Sequence, residues 1–124
     1  IEGQSSPRGA PGRERLMRRL QISADLQPLA TIDTLIHAPA RLMVLTYLYV
    51  VESADYVFLM RLTGLTWGNL ATHLNKLEEA GYVEVQKSFK GKKPQTTLRL
   101  TEQGRIAFRA YKESMQQVLN DLPE

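Results

Sequence analysis

The chain has no cysteine among its 124 residues, which excludes a disulfide framework, a thiolate metal site and a cysteine nucleophile. Histidine is scarce as well. His37 and His73 are the only two, too far apart in sequence to read as a ligand cluster, so no metal is expected. Long apolar runs are also missing. The longest, LMVLTYLYVV at 42–51, has ten residues; it falls short of the roughly 20 that a membrane span needs and suits a buried helix. The opening IEGQSSPRGAPGRERL has no apolar h-region, so no secretory leader is expected. There is no P-loop, dinucleotide glycine pattern, HExxH or nucleophile elbow, and no pair of acids stands out as a catalytic couple. The expectation is therefore a non-enzymatic, cofactor-free, cytoplasmic protein without a membrane partner.

The length suits one domain with a real core. Net charge is only +3, but the charge is segregated. Residues 87–112 hold eight basic residues (Lys87, Lys90, Lys92, Lys93, Arg99, Arg105, Arg109, Lys112) against the single acid Glu102. Residues 8–19 hold five arginines against Glu14. Such blocks favour a polyanionic partner, most simply nucleic acid, although a solvated basic surface without a partner has the same composition.

Residues 1–12, rich in Gly, Pro and Ser, read as a disordered N-terminal arm ahead of a single domain at 13–124. A short amphipathic helix is expected at 13–21 through Leu16, Met17 and Leu20. A second is expected from Pro28, a good first-turn residue, to Ile36. Pro39 opens a third that runs to about Glu52. ESAD reads as a loop, and YVFLMRLTGL as a short helix ending near Gly64, preceded by one or two extended residues. Only a Gly-containing turn separates it from a helix at 66–80, and two helices so joined form a helix-turn-helix. Thr66 can cap the second helix, and Gly81 suits the left-handed position just past its end. The period then changes to two. Val83, Val85, Lys87 and Phe89, then Thr96, Leu98 and Leu100, predict a two-stranded hairpin with the basic tip KGKKP. Thr101 caps a long final helix whose stripe of Phe108, Tyr111, Met115, Val118 and Leu122 lasts about four turns. No internal repeat is present. The fold class is α+β, mostly α.

The helix at 66–80 divides its surface unequally. At about 100° per residue, Leu70, Leu74 and Leu77 define the buried direction, while Gly68, Thr72, Asn75 and Glu79 point away. Asn69 and Lys76 lie on one shoulder; Trp67, the only tryptophan, lies on the other with Ala71. His73 sits beside the leucine stripe. The outer face is small and hydrogen-bonding, with no acid before Glu78, which is the gradient a helix needs to enter a major groove. Gly68 costs the helix up to about 1 kcal/mol relative to Ala and leaves its backbone free to approach a surface.

GLTWGNLATHLNKLEEAGYV, a basic hairpin and LRLTEQGRIAFRAY, taken together, resemble the winged-helix DNA-binding domains of MarR/ArsR-type transcriptional regulators, most closely the small MarR-like proteins with little beyond the winged domain. The resemblance covers 39–111. It implies a winged helix-turn-helix with a two-stranded β wing, in a transcriptional regulator that binds double-stranded DNA sequence-specifically. The helix at 66–80 becomes the recognition helix, with Thr66, Trp67, Gly68, Asn69, Thr72, His73, Asn75 and Lys76 as DNA-binding positions. The wing at 88–94 sets Lys90, Lys92 and Lys93 at phosphates or in a minor groove, with Lys87 and Gln95 at its base. In such families terminal helices pair two subunits. That implies a homodimer on palindromic DNA, with Leu16, Leu20, Phe108, Tyr111, Met115, Val118, Leu119 and Leu122 at the interface and 101–122 as a dimerisation helix. The Cys/His/Asp cluster of an ArsR-type metal sensor is not present, and no small-molecule effector can be named.

Individual residues keep two readings. Trp67 either packs between the two helices or touches DNA, and its indole N–H needs a partner in both cases. His73 either bonds within the domain or reads bases. The Phe108–Leu122 stripe is either core or subunit interface, and the Arg-rich 8–19 segment either an arm on DNA or a tail. For the chain as a whole, the alternative is a winged-helix module that binds protein within a larger complex.

Overall fold

The computed structural model describes residue 15 and residues 27–123. Internal contacts divide the chain into two compact units, one of residues 33–112 and one of residues 1–32 with 113–124. The expected arm at 1–12, and Leu16 and Leu20 of the expected first helix, lie outside the described residues. Five helices and three strands occur among the described residues in the order α1 (Gln27–Ala30), α2 (Pro39–Val51), β1 (Ser53–Asp55), α3 (Tyr56–Thr63), α4 (Trp67–Glu79), β2 (Val83–Lys90), β3 (Lys93–Leu100) and α5 (Glu102–Asp121). None of the described helices is long and apolar enough to cross a membrane.

The 33–112 unit is a winged helix. Its core is aliphatic: Ile36, Val44, Leu45, Leu48, Leu59, Leu70, Leu77 and Leu98 have no exposed surface. Burying each such side chain contributes about 1.5–3 kcal/mol. Pro39 begins α2 at its first turn, where a missing N–H costs nothing. Asp55 caps α3 by accepting the Phe58 N–H at 3.3 Å, and Gly64 closes that helix in the left-handed region.

Three expectations are corrected. The helix expected from Pro28 to Ile36 stops at Ala30. Asp33 is the reason for the chain's course after it: its Oδ1 accepts the N–H groups of Leu35 (2.9 Å) and Ile36 (3.3 Å), and such a side-chain turn competes with helical bonding. ESAD is not a loop. Ser53, Ala54 and Asp55 pair antiparallel with Arg99, Leu98 and Thr97, so β1 is an edge strand in a three-stranded sheet of order β1-β3-β2. The wing is longer than expected: β2 and β3 pair from Val83↔Leu100 out to Lys90↔Lys93, leaving Gly91-Lys92 as the turn.

The end of α4 and the start of α5 meet at one junction. The Gly81 N–H donates to the Glu78 carbonyl and the Tyr82 N–H to the Leu77 carbonyl, both at 2.9 Å, with Gly81 at φ +80°. This paired closure requires a left-handed residue. Thr101 Oγ1 donates to the Gly81 carbonyl at 2.6 Å and accepts the Gly104 N–H at 2.9 Å, so the expected cap of the last helix also grips the end of α4. Gln103 Nε2 adds a bond to the Ala80 carbonyl at 3.3 Å. Gly104 permits the approach: a Cβ there would overlap the Tyr82 carbonyl oxygen and stand 2.9 Å from Leu100 Cδ1. Tyr82 then donates its hydroxyl to Asp33 Oδ2 at 2.6 Å. That bond, followed by burial and the Asp33 charge, pushes the phenol up to about 12. A raised pKa stabilises the fold fully below the unfolded value near 10.0 and is lost only as pH rises through about 12, so the link is intact at neutral pH.

Gly104→Ala is expected to lower unfolding stability by at least about 1–3 kcal/mol, because the added methyl meets backbone that cannot yield. Urea denaturation measures it; an unchanged midpoint contradicts the close approach.

Candidate nucleic-acid interface

Helix α4 divides its surface as the wheel predicts. Leu70, Leu74 and Leu77 are buried, while Thr66, Trp67, Gly68, Asn69, Thr72, Asn75 and Lys76 are exposed. Thr66 caps the helix by accepting the Asn69 N–H at 3.2 Å. Thr72 spends its hydroxyl proton on the Gly68 carbonyl at 3.1 Å, which leaves its oxygen available outward as an acceptor. Nothing lies within 4 Å of a Cβ built on Gly68, so no contact inside the fold requires glycine there.

His73 differs from its neighbours. It is half-buried, and its Nδ1 lies 2.9 Å from Arg41 Nη1. Burial first, then the charges of Arg41 and Lys76, lowers its pKa, so the neutral ring accepts from Arg41. Arg41 Nε also donates to the Leu35 carbonyl. The pair ties α2 to the shoulder of α4 and engages Nδ1 of His73 within the domain.

Trp67 is packed on one side and exposed on the other. Its ring stacks on Tyr56 with centroids 4.2 Å apart and planes at 32°, and the Tyr56 hydroxyl donates to the Trp67 carbonyl at 2.6 Å. Tyr56 is buried, whereas Trp67 remains 56% exposed. One face of the indole is fixed, and the rest looks outward along a cleft of about 510 Å³ between α4 and the sheet. Trp67, Ala71, Leu74, Asn75 and Glu78 form its helix wall, and Val85, Lys87 and Thr96 its sheet wall. The cleft therefore brings Trp67, Asn75 and Lys87 of the expected site to one surface.

The basic block at 87–112 is split by the fold. Lys87, Lys90, Lys92 and Lys93 are exposed on the wing, and Gln95 is half-buried at its base. Arg99 pairs with Glu84 at 3.4 Å, both well exposed, an arrangement of little energetic weight. Arg105 lies over the Tyr49 ring at 4.7 Å, and Arg109 Nε bonds the Tyr49 hydroxyl at 3.4 Å. That hydrogen bond leads the causes that lower the Tyr49 pKa. These two arginines belong to the α2–α5 contact rather than to the wing.

Residues 40–119, well over half of the chain, match the family described as the winged helix DNA-binding domain. The chain belongs to that family. An uncharacterized protein of Methanocaldococcus jannaschii is 41% identical over 71 residues, 57% of this chain and 77% of that one. A solved structure, the transcriptional regulator homologue from Pyrococcus horikoshii OT3, matches with TM-score 0.71 at 25% identity, covering 76% of this chain and 95% of that one. A transcriptional regulator of the MarR family from Enterococcus faecalis V583 matches with TM-score 0.59 at 16% identity, covering 93% and 89%; at that identity the likeness concerns the fold. The chain thus carries a winged-helix DNA-binding domain, and the solved structures that share its fold include proteins described as transcriptional regulators.

Residue patterns alone missed three contributors to this surface. Tyr56, in α3, carries Trp67, and Arg41, in α2, holds His73; neither relation has a local sequence signal. Phe89 faces Pro94 across the wing and is 73% exposed beside Lys90. An unexplained aromatic at a basic hairpin tip was the available clue. Among the expected interface residues on the last helix, Phe108 and Tyr111 are buried: Phe108 packs on Tyr49 at 5.2 Å, and the Tyr111 hydroxyl meets His37 Nδ1 at 2.8 Å. Both are core of the winged unit. Val118 is buried and Met115 half-buried, whereas Leu119 and Leu122 are exposed.

Gly68→Ala is expected to stabilise the domain, by up to about 1 kcal/mol from helix propensity, and to weaken DNA binding through the methyl added to the approaching face. Thermal unfolding and a DNA titration on the same variant measure both. A variant that gains no stability, or that binds DNA undiminished, contradicts the functional account of this glycine.

Proposed function

We propose that the chain is a transcriptional regulator of MarR type that binds double-stranded DNA sequence-specifically as a homodimer, with the two α4 helices entering successive major grooves about 34 Å apart on a palindromic site. The observation that carries this reading is the surface shared by α4 and the sheet. A helix face without acids before Glu78 stands beside Lys87, and the same strands extend to a tip bearing Lys90, Lys92 and Lys93. Base edges would meet Trp67, Asn69, Thr72 and Asn75, while wing lysines lie on phosphates or in the minor groove. Leu119, 58% exposed, and Leu122, 41% exposed, lie near the end of α5. Such leucines are surface that a second subunit covers at little cost. This supports dimerisation through the end of that helix rather than through Phe108 and Tyr111.

One observation favours a second reading, a winged module that binds protein. An apolar groove of about 630 Å³ runs along α2 and the end of α3, lined by Pro39, Leu42, Met43, Tyr47, Val50 and Leu62 among others. It bears no charged side chain.

The wing separates the two readings. Replacing Lys90, Lys92 and Lys93 together by Ala should weaken DNA binding and reduce the slope of log affinity against log salt by up to about three, near 0.9 for each phosphate no longer neutralised. Fluorescence anisotropy across a salt series measures both. An unchanged affinity and slope would falsify the wing's role.

A further inference from the structure

We propose that α4 is built to read A·T base pairs, with Trp67 acting on thymine 5-methyl groups as the specificity-determining residue and Tyr56 as its positioning residue. The inference rests on the DNA-binding reading above and adds the base class of the site. It begins with what the helix lacks. The commonest reader of guanine is arginine, and α4 has none; its one cation, Lys76, stands in the third turn, behind the N-terminal residues that reach deepest into a groove. What the exposed face offers is amide and hydrocarbon. Asn69 and Asn75 have the donor–acceptor pair that matches the N6/N7 edge of adenine, and apolar groups match the methyl of thymine.

The cleft supplies the geometry. Trp67, Ala71 and Asn75 recur every four residues and line one wall together, so a hydrocarbon surface of two side chains runs straight into an amide. Trp67 is not a loose ring. Stacking on buried Tyr56 fixes one face, and the Tyr56 hydroxyl holds the Trp67 carbonyl, so the exposed part of the indole is presented before DNA arrives and little side-chain freedom is left to lose on binding. Lys87 on the opposite wall offers a cation to the backbone of the same strand. A glutamate at the far end, Glu78, keeps phosphate away from the last turn and so sets the side on which the backbone runs.

The test uses the full chain and three synthetic duplexes of about 30 base pairs, long enough for two half-sites: alternating d(AT), alternating d(AU), which differs only by the 5-methyl groups, and alternating d(GC). The wild type should bind d(AT) more tightly than d(GC). It should also lose about fourfold or more on passing to d(AU), since removing one methyl from water corresponds to roughly that factor. Trp67→Ala should bind d(AT) and d(AU) alike. Tyr56→Phe, which keeps the ring and removes only the hydroxyl, should give a smaller methyl effect than wild type with the fold intact. A wild type that does not distinguish d(AT) from d(AU), or a methyl effect that persists in Trp67→Ala, overturns the role of Trp67. A preference for d(GC) overturns the base class. Failure to bind any of the three at low salt overturns the DNA-binding reading itself and this inference with it.

Discussion

The junction of α4, the wing and α5 depends on one close approach, the backbone of α5 at Gly104 lying against the carbonyl of Tyr82. The approach lets Thr101 serve two helices with one hydroxyl, capping α5 while bonding the end of α4. It also places Tyr82 where its phenol reaches Asp33, and Asp33 in turn shapes the segment before α2. Three distant parts of the chain are thereby fixed to the point where α4 ends and β2 begins. The C-terminal end of the helix is fixed there, while the outer face of its first turns stays exposed.

Those N-terminal turns carry the consequences. The three leucines of α4 are fully used inside, so its outer residues are free of packing duties. Gly68 has no steric reason to be glycine, which makes its cost in helix propensity hard to explain by folding alone. Trp67 has a different standing. It is supported on one face by Tyr56 and exposed on the rest, so packing inside the domain leaves surface free for a ligand.

Much of this was legible in the chain. The α2, α3, α4 and α5 helices, the short turn at Gly64, the Thr66 and Thr101 caps, the left-handed Gly81 and the hairpin all have local causes, namely period, capping chemistry and turn residues. What was not legible is non-local. β1 exists because Ala54 finds Leu98 in β3, and nothing in ESAD announces that partner. The expected helix through Ile36 was lost to Asp33, whose side chain bonds both the local backbone and Tyr82, a residue 49 positions away. Arg105 and Arg109 looked like part of a basic block until Tyr49 accounted for them. The stripe on the last helix ran through Phe108 and Tyr111 into Leu122 without a break in period, yet its first half is core and Leu119 and Leu122 are exposed. Periodicity gives the face of a helix but not what covers it.

The central claim is that two copies of α4 read a symmetric site in duplex DNA, and selection of bound sequences from a pool of random duplexes tests it most directly. The account predicts an enriched palindrome whose half-sites are centred about 10 base pairs, one helical turn, apart, with the discriminating positions in each half-site. An enriched but asymmetric single site would contradict the dimer, and a pool that stays random after repeated rounds at physiological salt would contradict sequence-specific recognition by this helix.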